Sequence, residues 1–181
     1  MIVVGASFGG VQALQLLLER LRTPPRASIT IALHRHRDSD ASLIATLQRH
    51  SALKIFEAVD KQPLEPGCIY VGPADYHILI DGERIALSID EPVRYARPSI
   101  DVLFESAAAF GQRAAAVVLS GGGSDGAQGA AMIESSGGRV FVQRPETAIC
   151  GDMPQAALAV LSRPIVADVA TIAEQLLELS E

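Results

Sequence analysis

Apolar segments with two different periodicities alternate along this chain. Short runs rich in β-branched residues, such as Ile2–Val4 and Ser28–Leu33, have the length and composition of buried parallel strands. Elsewhere, as in Gly10–Leu21, apolar side chains recur every three or four residues, which is typical of amphipathic helices. This alternation predicts an α/β domain of three layers, in which helices cover both faces of a mostly parallel, doubly wound, Rossmann-like sheet.

The same two periodicities predict the remaining elements. Further strands are expected at Leu53–Ala58, Ala114–Leu119 and Arg139–Val142. Further helices are expected at Ala41–Gln48, Ser99–Phe110, a segment ending near Ser135, Pro154–Leu161 and Val169–Leu179. Since no internal repeat and no long linker interrupts the pattern, residues 1–181 are predicted to form a single domain.

The middle of the chain has a different pattern. Three short apolar runs, Cys68–Val71, His77–Ile80 and Arg84–Leu87, follow one another without a helix between them. Asp81-Gly82 separates the last two, and Asp-Gly between alternating runs is a strong hairpin signal. We therefore expect a small antiparallel excursion here, attached to an edge of the parallel sheet.

Composition narrows the class of protein. With 49% apolar residues in a chain of 181, a disordered or fibrous protein is excluded. The net charge of −6 argues against nucleic acid as a partner, because binding phosphates requires a basic surface. Cys68 and Cys150 fit neither a metal site nor a disulfide framework. No apolar run reaches the roughly 20 residues of a membrane span, and no signal peptide is visible, so we expect a cytoplasmic protein without membrane insertion.

The pattern G-x-S-x-G occurs at Gly5–Gly9, between the first predicted strand and the first predicted helix. In a nucleophile elbow, small residues at such a connection allow a sharp turn that exposes the serine hydroxyl, here that of Ser7. Free N–H groups at the start of the helix then face any anion that forms there. Because serine also caps helices and glycine is common in such turns, the motif alone leaves a purely structural role open.

Two further polar side chains are predicted at the same edge of the sheet. His34 directly follows the second strand, and Asp125 lies in the glycine-rich loop Gly121–Gly126 after another strand. Ligands of open α/β sheets bind beyond the carboxyl ends of the strands, so these side chains are expected to converge on Ser7. A serine nucleophile needs a base, and the base needs an acid to orient it, so the three residues predict a hydrolase triad.

Alternatives to two members of this triad remain open at this point. His36 and His77 are alternative bases, and His77 is expected to line the same pocket from the hairpin. Asp125 or Ser124 could instead cap the helix that follows. The competing acids, all in predicted loops, are Asp38, Asp40 and Asp75.

The first turn does not fit a nucleotide-binding loop. In a G-x-G-x-x-G fingerprint the middle glycine would fall at Ser7, and an acidic residue would be expected near His34. A Walker A loop fails because no Gly-Lys-Ser/Thr follows. The chain order Ser, His, Asp also differs from the Ser, Asp, His order of α/β-hydrolases.

Several blocks of the sequence occur together in one family. The blocks, in chain order, are Gly5–Gly10, the strand ending in His34, Ile69–Pro73 with Asp75 and His77, Arg97–Phe104, Leu119–Ala127 and Gly151–Pro154. Together they resemble the catalytic domain of the chemotaxis protein-glutamate methylesterases of the CheB type, over nearly the whole chain. The resemblance implies that Ser7 is the nucleophile, His34 the general base and Asp125 the acid that orients it.

The resemblance also implies a reaction and a partner. The expected reaction is hydrolysis of glutamate γ-methyl esters on the cytoplasmic helices of chemoreceptors, together with deamidation of receptor glutamines, and it needs neither a metal nor an organic cofactor. Backbone N–H groups of Phe8 and of the loop Gly121–Gly123 are expected to hold the oxyanion. The residues expected around the substrate are Phe8, Gly9, His77, Arg97 and Gly122.

Three positions depart from the family pattern. Phe8 replaces a threonine or another small residue, Gly122 a methionine and Ser124 an asparagine. The receiver domain that usually precedes the catalytic domain is not expected within these 181 residues. Two other functions stay open: a non-catalytic binding module whose pocket is blocked by Phe8, and a general hydrolase of small esters.

Overall fold

The structure, a computed structural model, describes residues 1–23, 25–35 and 42–179. Strands and helices alternate through most of these residues. The strands are β1 (Ile2–Ala6), β2 (Ile29–Leu33), β3 (Lys54–Glu57), β4 (Cys68–Val71), β5 (His77–Asp81), β6 (Arg84–Ser88), β7 (Ala115–Val118), β8 (Arg139–Gln143) and β9 (Ile165–Ala167). The helices are α1 (Gly10–Arg20), α2 (Leu43–Gln48), α3 (Ile100–Ala107), α4 (Ala127–Ser135), α5 (Asp152–Leu158) and α6 (Val169–Glu178).

Within the described part of the chain, seven of these strands form one sheet in the order β3-β4-β2-β1-β7-β8-β9. All neighbouring strands in it are parallel. β1 is central, and the chain proceeds first to β2 on one side and later to β7 on the other. The strand order therefore reverses at β1, which is where doubly wound sheets bind ligands. The predicted fold class is confirmed.

Helices cover both faces of the sheet and create two apolar cores. On one face, α1 and α6 bury side chains that include Leu14 and Leu176. On the other face, α3, α4 and α5 bury a second set that includes Phe104 and Ile133. Each of these fully buried side chains contributes roughly 1.5–3 kcal/mol relative to an exposed position. The rigid sheet between the two cores holds the strand ends in fixed positions.

The middle of the chain differs in part from the expectation. β5 and β6 form the predicted antiparallel hairpin around Asp81-Gly82, but they make a separate two-stranded sheet that packs against α3. The run Cys68–Val71 had been predicted to belong to this excursion, and that prediction is wrong. β4 lies inside the parallel sheet between β2 and β3. All four of its residues are buried, as a strand covered on both faces requires.

One strand was not predicted, and one predicted helix is divided. β9 has only three residues, which is too short for a periodicity, and it pairs with β8 at the edge of the sheet. The predicted helix Ser99–Phe110 is observed as α3 followed by a 3₁₀ segment, Ala108–Arg113. Ala41, where another helix was expected to begin, lies outside the described residues.

The carboxyl ends of β1, β2 and β7 lie side by side in the centre of the sheet. Paired residues at these ends are Ala6 with Leu33 and Gly5 with Val118. The next residues along each strand are Ser7, His34 and the loop that begins at Leu119. Among the described helices, none combines the length and the apolar character needed to cross a membrane.

Candidate active site

The turn that carries Ser7 connects β1 directly to α1. The Ser7 N–H donates to the Ser120 carbonyl (2.9 Å), and the Gly10 N–H donates back to the Ser7 carbonyl (2.7 Å), which closes the turn. Gly9 has φ 76°, and a Cβ there would lie 2.5 Å from the Cβ of Ile149. Only glycine satisfies both conditions without strain, so Gly9 determines how Ser7 is presented.

Phe8 points away from the site. Its side chain is 71% exposed, and it does not line the pocket that Ser7 lines. The Phe8 carbonyl accepts a hydrogen bond from the Ser120 hydroxyl (2.8 Å), which fixes the backbone on the far side of the turn. This position contradicts the alternative in which Phe8 blocks the pocket.

His34 contacts Asp125 at the end of β2. The His34 N–H donates to the carbonyl of Ala6 (3.0 Å), so the β1–β2 ladder continues one residue past the strands and holds the histidine backbone. The His34 Nε2 atom lies 2.7 Å from Asp125 Oδ2. Asp125 is 4% exposed, whereas the His34 side chain is 20% exposed and stays accessible from the pocket.

The Asp125 carboxylate is bound by the first turn of α3. Its Oδ1 accepts from the Ser99 hydroxyl and from the Asp101 N–H, each at 2.9 Å. Its Oδ2 accepts from the Ile100 N–H (2.7 Å) in addition to His34. The positive end of the helix dipole therefore faces the carboxylate, and the hydrogen bonds fix its rotamer.

These contacts decide the charge of Asp125. Burial acts to raise the pKa of the carboxyl, but the hydrogen bonds from His34, Asp101 and Ile100 and the charge of His34 outweigh it, so the pKa lies below its ordinary value. The group is thus an anion at neutral pH. An anion in this position orients the imidazole and stabilises its protonated form.

Two pockets meet at His34. The first, about 280 Å³, is lined by Ser7, Val11, Leu33, His34, Arg35, Ser42, Leu43 and Thr46. The second, about 430 Å³, is lined by His34, Arg35, Asp75, Pro92, Tyr95, Ala96 and Arg97. Ser7 and His34, both in the described part of the chain, share the first pocket but are not hydrogen-bonded to each other. Such contacts often tighten only when substrate binds.

His77 lies behind the site and not in it. It is 2% exposed. Its Nδ1 accepts from the Ser99 N–H (3.1 Å), and its Nε2 donates to the Glu91 carbonyl (3.1 Å). With both ring nitrogens bonded to backbone, the expectation that His77 lines the pocket is wrong. The residue instead holds Ser99, and through it the carboxylate of Asp125.

Arg97 lies at the second pocket and holds the segment that leads into α3. Its Nε and Nη2 atoms donate to Asp75 Oδ1 at 3.1 and 2.7 Å. Its Nη1 atom donates to the carbonyls of Ile89 (2.8 Å) and Asp90 (3.0 Å). The guanidinium therefore links the loop of Asp75 to the segment of Ile89 and Asp90. Asp75 belongs to this pair with Arg97, whereas the other candidates His36, Asp38 and Asp40 lie outside the described residues.

The glycine-rich loop after β7 lies against the serine. A Cβ on Gly121 would be 2.8 Å from the Cβ of Ser7, so only glycine allows this approach. The Gly121 N–H donates to the Cys150 carbonyl (3.0 Å) and is not free for an oxyanion. The N–H groups of Phe8 and Gly122, by contrast, have no hydrogen-bond partner within the described part of the chain. No group of three or more metal-binding side chains occurs in the same described set.

Sequence reasoning missed the residues that support this site. Ser99 caps α3, accepting from the Val102 N–H (3.4 Å), and its position after a proline is a typical start of a helix. A helix was accordingly predicted to begin at Ser99, but the serine was not connected with the site. Ser120 and Gln143 had no signal, because the Gln143 side chain binds the Ser120 N–H (2.8 Å) only once β7 and β8 are paired.

Substitution of Gly121 by alanine is expected to reduce esterase activity at least about tenfold and stability by about 1–3 kcal/mol. The added methyl group would lie 2.1 Å from the Met153 sulfur as well as against Ser7, so one of them must move. Activity on an aryl ester and urea unfolding measure the two effects. For the loss of stability, Gly122→Ala is the matched control, since its nearest neighbour would be the Cys150 sulfur at 3.8 Å. Equal losses of stability in the two variants would contradict this account.

Comparisons with known proteins agree on one family. A family model described as CheB methylesterase matches residues 2–176. A Leptospira interrogans protein, provisionally named protein-glutamate methylesterase/protein-glutamine glutaminase, is 38% identical over 99% of this chain and 94% of its own length. A Nocardioides protein of the same name is 39% identical over 86% of this chain, which spans only 44% of that relative.

A solved structure has the same fold. The crystal structure of the Thermotoga maritima CheB methylesterase catalytic domain superposes with a TM-score of 0.88 and 27% sequence identity. The match covers 98% of this chain and 97% of that one. The similarity therefore includes the hairpin β5–β6 and the loops that bear the candidate site, in addition to the parallel sheet.

Proposed function

Since the chain belongs to the CheB methylesterase family, we propose that it is a serine hydrolase that removes methyl groups from glutamate γ-methyl esters of chemoreceptors. Ser7 is the nucleophile, His34 the general base and Asp125 the orienting acid. The observation that carries the proposal is the 2.7 Å contact of His34 Nε2 with Asp125, made beside a pocket that Ser7 and His34 both line.

The first half of the reaction forms an acyl-enzyme. With Nε2–H donated to Asp125, the Nδ1 atom of His34 carries the lone pair. It takes the proton of the Ser7 hydroxyl as the oxygen attacks the ester carbonyl, and the imidazolium is stabilised by the Asp125 anion. When the tetrahedral intermediate breaks down, His34 returns the proton to the methoxide, which leaves as methanol.

The developing oxyanion is held by backbone N–H groups. The N–H of Phe8 stands at the start of α1, where the helix dipole favours negative charge. The N–H of Gly122 is the second donor, because that of Gly121 is bound to Cys150. The bulky side chain of Phe8 does not interfere, since it points to solvent and only its backbone takes part.

The second half of the reaction hydrolyses the acyl-enzyme. His34 removes a proton from water, the hydroxide attacks the glutamyl ester of Ser7, and Ser7 regains its proton as the glutamate carboxylate is released. A glutamine side chain that follows the same course releases ammonia, as the glutaminase part of the relatives' name suggests. A pocket of about 280 Å³ is of suitable size for one such side chain of a protein substrate.

Methanol release tests the proposal. Purified protein is incubated with receptor-containing vesicles whose receptor glutamates carry radiolabelled methyl esters, and volatile methanol is counted in parallel with hydrolysis of an aryl acetate. We expect release of methanol that depends on the protein concentration. Hydrolysis of the aryl acetate without methanol would indicate a general esterase. Absence of both reactions would indicate a non-catalytic module and overturn the proposal.

A further inference from the structure

A tight turn at the rim of the second pocket exposes an aromatic side chain. The N–H groups of Val93 and Ala96 each donate to the carbonyl of the other residue, at 3.1 and 2.9 Å, which closes the 93–96 turn. Arg94 and Tyr95 form its tip. The Tyr95 side chain is fully exposed, so it packs against no other part of the described chain, yet it lines the pocket that His34 also lines. A large ring thus lies free beside the proposed general base.

Both residues at the tip of the 93–96 turn have an unfavourable backbone conformation. The angle φ is 49° at Arg94 and 64° at Tyr95, in the left-handed region that glycine adopts most easily. Two-residue turns of this kind usually contain glycine, asparagine or aspartate, and neither tip residue is one of these. Such strain persists only where the surrounding structure imposes it, and it is concentrated at functional sites. The position of the Tyr95 ring is therefore maintained at the expense of stability.

The 93–96 turn is fastened to three parts of the molecule. The Arg94 Nε atom donates to Asp101 Oδ2 in α3 (3.2 Å), and its Nη1 atom donates to the Ser124 hydroxyl in the glycine-rich loop (3.3 Å). Just before the turn, the Glu91 carbonyl accepts from the His77 Nε2 atom of β5 (3.1 Å). These bonds tie the turn to the elements that carry Asp125 and its partners, so the ring has a defined place relative to the site.

The second pocket favours an apolar occupant. Its charged groups form ion pairs, Arg35 with Glu57 and Arg97 with Asp75. Besides these residues and His34, the pocket is lined by Pro92, Tyr95 and Ala96. A charged ligand would have to compete with the existing pairs, whereas an apolar side chain could pack directly on the ring of Tyr95. Apolar contact with this ring is therefore the recognition that the pocket offers.

A protein substrate must extend beyond the pocket of Ser7. That pocket, of about 280 Å³, accommodates one glutamyl side chain, so the helix that bears the ester has to lie across its mouth. The two pockets adjoin, because His34 and Arg35 line both. Side chains three or four residues apart lie on one face of a helix, about 5.4 Å apart along its axis. A neighbour of the esterified glutamate on that face is thus within reach of the second pocket.

We propose that Tyr95 is a specificity-determining residue, whose ring packs on an apolar side chain of the receptor helix one turn away from the methyl ester. The proposal rests on the function proposed above. No bond or charge changes at the ring during the reaction, so the contact is equally strong in the ground state and the transition state. It therefore lowers KM and leaves kcat unaffected. A small aryl ester occupies the pocket of Ser7 alone and does not reach the ring.

The test compares methanol release from methylated receptor in vesicles with hydrolysis of an aryl acetate. Tyr95→Ala is expected to lower kcat/KM for the receptor about tenfold, through KM, as truncation of a tyrosine anchor at a protein interface commonly does. Its kcat/KM for the aryl acetate should change by less than about twofold. Tyr95→Phe retains the ring and should keep the receptor activity. Tyr76→Ala is the matched control, since that exposed tyrosine lines neither pocket.

Tyr95→Gly separates the loss of the ring from a disturbance of the turn. Glycine adopts a φ of 64° without strain, so this variant should unfold at a higher urea concentration than Tyr95→Ala. It lacks the ring as well, and its activity on the receptor should be as low as that of Tyr95→Ala. Recovery of receptor activity in Tyr95→Gly would show that the shape of the turn matters and not the ring, which would overturn the inference.

The possible outcomes distinguish this inference from the proposed function. An unchanged KM for the receptor in Tyr95→Ala refutes the inference, and so does an equal loss on both substrates, which would indicate an effect on the chemical step. A loss in Tyr95→Phe as large as that in Tyr95→Ala would assign the contact to the hydroxyl and contradict apolar packing. Failure of the proposed function appears elsewhere, in the unsubstituted protein, which would release no methanol from the receptor. The inference would then fall with it.

Discussion

Ser7→Ala is expected to lower kcat/KM for ester hydrolysis by at least about 10⁴-fold, because no other group at the elbow can form the acyl-enzyme. The fold should be unaffected. The recorded hydrogen bonds of Ser7 involve its backbone N–H and carbonyl, which alanine retains. We therefore expect a change in the free energy of unfolding within about 0.5 kcal/mol.

Two measurements check this result. Methanol release from methylated receptor gives the rate, and labelling with a serine-directed phosphonofluoridate, followed by peptide mass spectrometry, shows whether Ser7 carries the adduct. Ser135→Ala serves as the control, because that serine lies at the far end of α4, where its hydroxyl donates to the Met132 carbonyl. An adduct on another serine, or wild-type turnover in Ser7→Ala, would remove Ser7 from its proposed role.

The sequence was sufficient to predict which strand ends bear the residues of the site. Buried parallel strands must be apolar throughout, so their carboxyl ends are visible as the points where apolar runs stop. For β1 and β2 the runs stop at Ser7 and His34. A parallel sheet places such ends at one edge, and the prediction needed only the order of strands around β1. The structure brings His34 to Asp125 because both follow strands next to β1.

The parts that could not be predicted depend on contacts across the sheet. β4 was assigned to the hairpin because its run of four residues carries no mark of its partners, which are β2 and β3. His77 was expected to line the pocket from the hairpin, but the sequence beside an apolar run does not show which way a histidine side chain faces. Its burial follows from α3 packing on the hairpin, a tertiary contact that no local pattern encodes.

Asp125→Asn is expected to lower kcat/KM by about 10³–10⁴-fold and to destabilise the fold by about 1–3 kcal/mol at neutral pH. The carboxylate accepts four hydrogen bonds, from His34, Ser99, Ile100 and Asp101. An amide has one oxygen, so its NH₂ group must face a donor. The imidazole then loses its anion and its fixed tautomer, which accounts for the loss of activity.

The loss of stability should depend on pH in a defined direction. The pKa of Asp125 is lower in the folded protein than its ordinary value, so ionisation of this group favours the folded state. This stabilisation is fully present above the unfolded value of about 4 and disappears as the pH falls through the folded pKa. Urea unfolding at several pH values should therefore show a deficit for Asp125→Asn that is largest near neutrality and shrinks below about pH 4.

Glu174→Gln is the control for this pH dependence, since that carboxylate is exposed on α6, on the opposite face of the sheet. Its free energy of unfolding should match that of the unsubstituted protein at every pH. A deficit in Asp125→Asn that stays constant down to acidic pH would mean that packing, and not the charge, stabilises the loop. In that case the anion would not be what holds α3 against His34, and the electrostatic part of the proposed triad would fail with it.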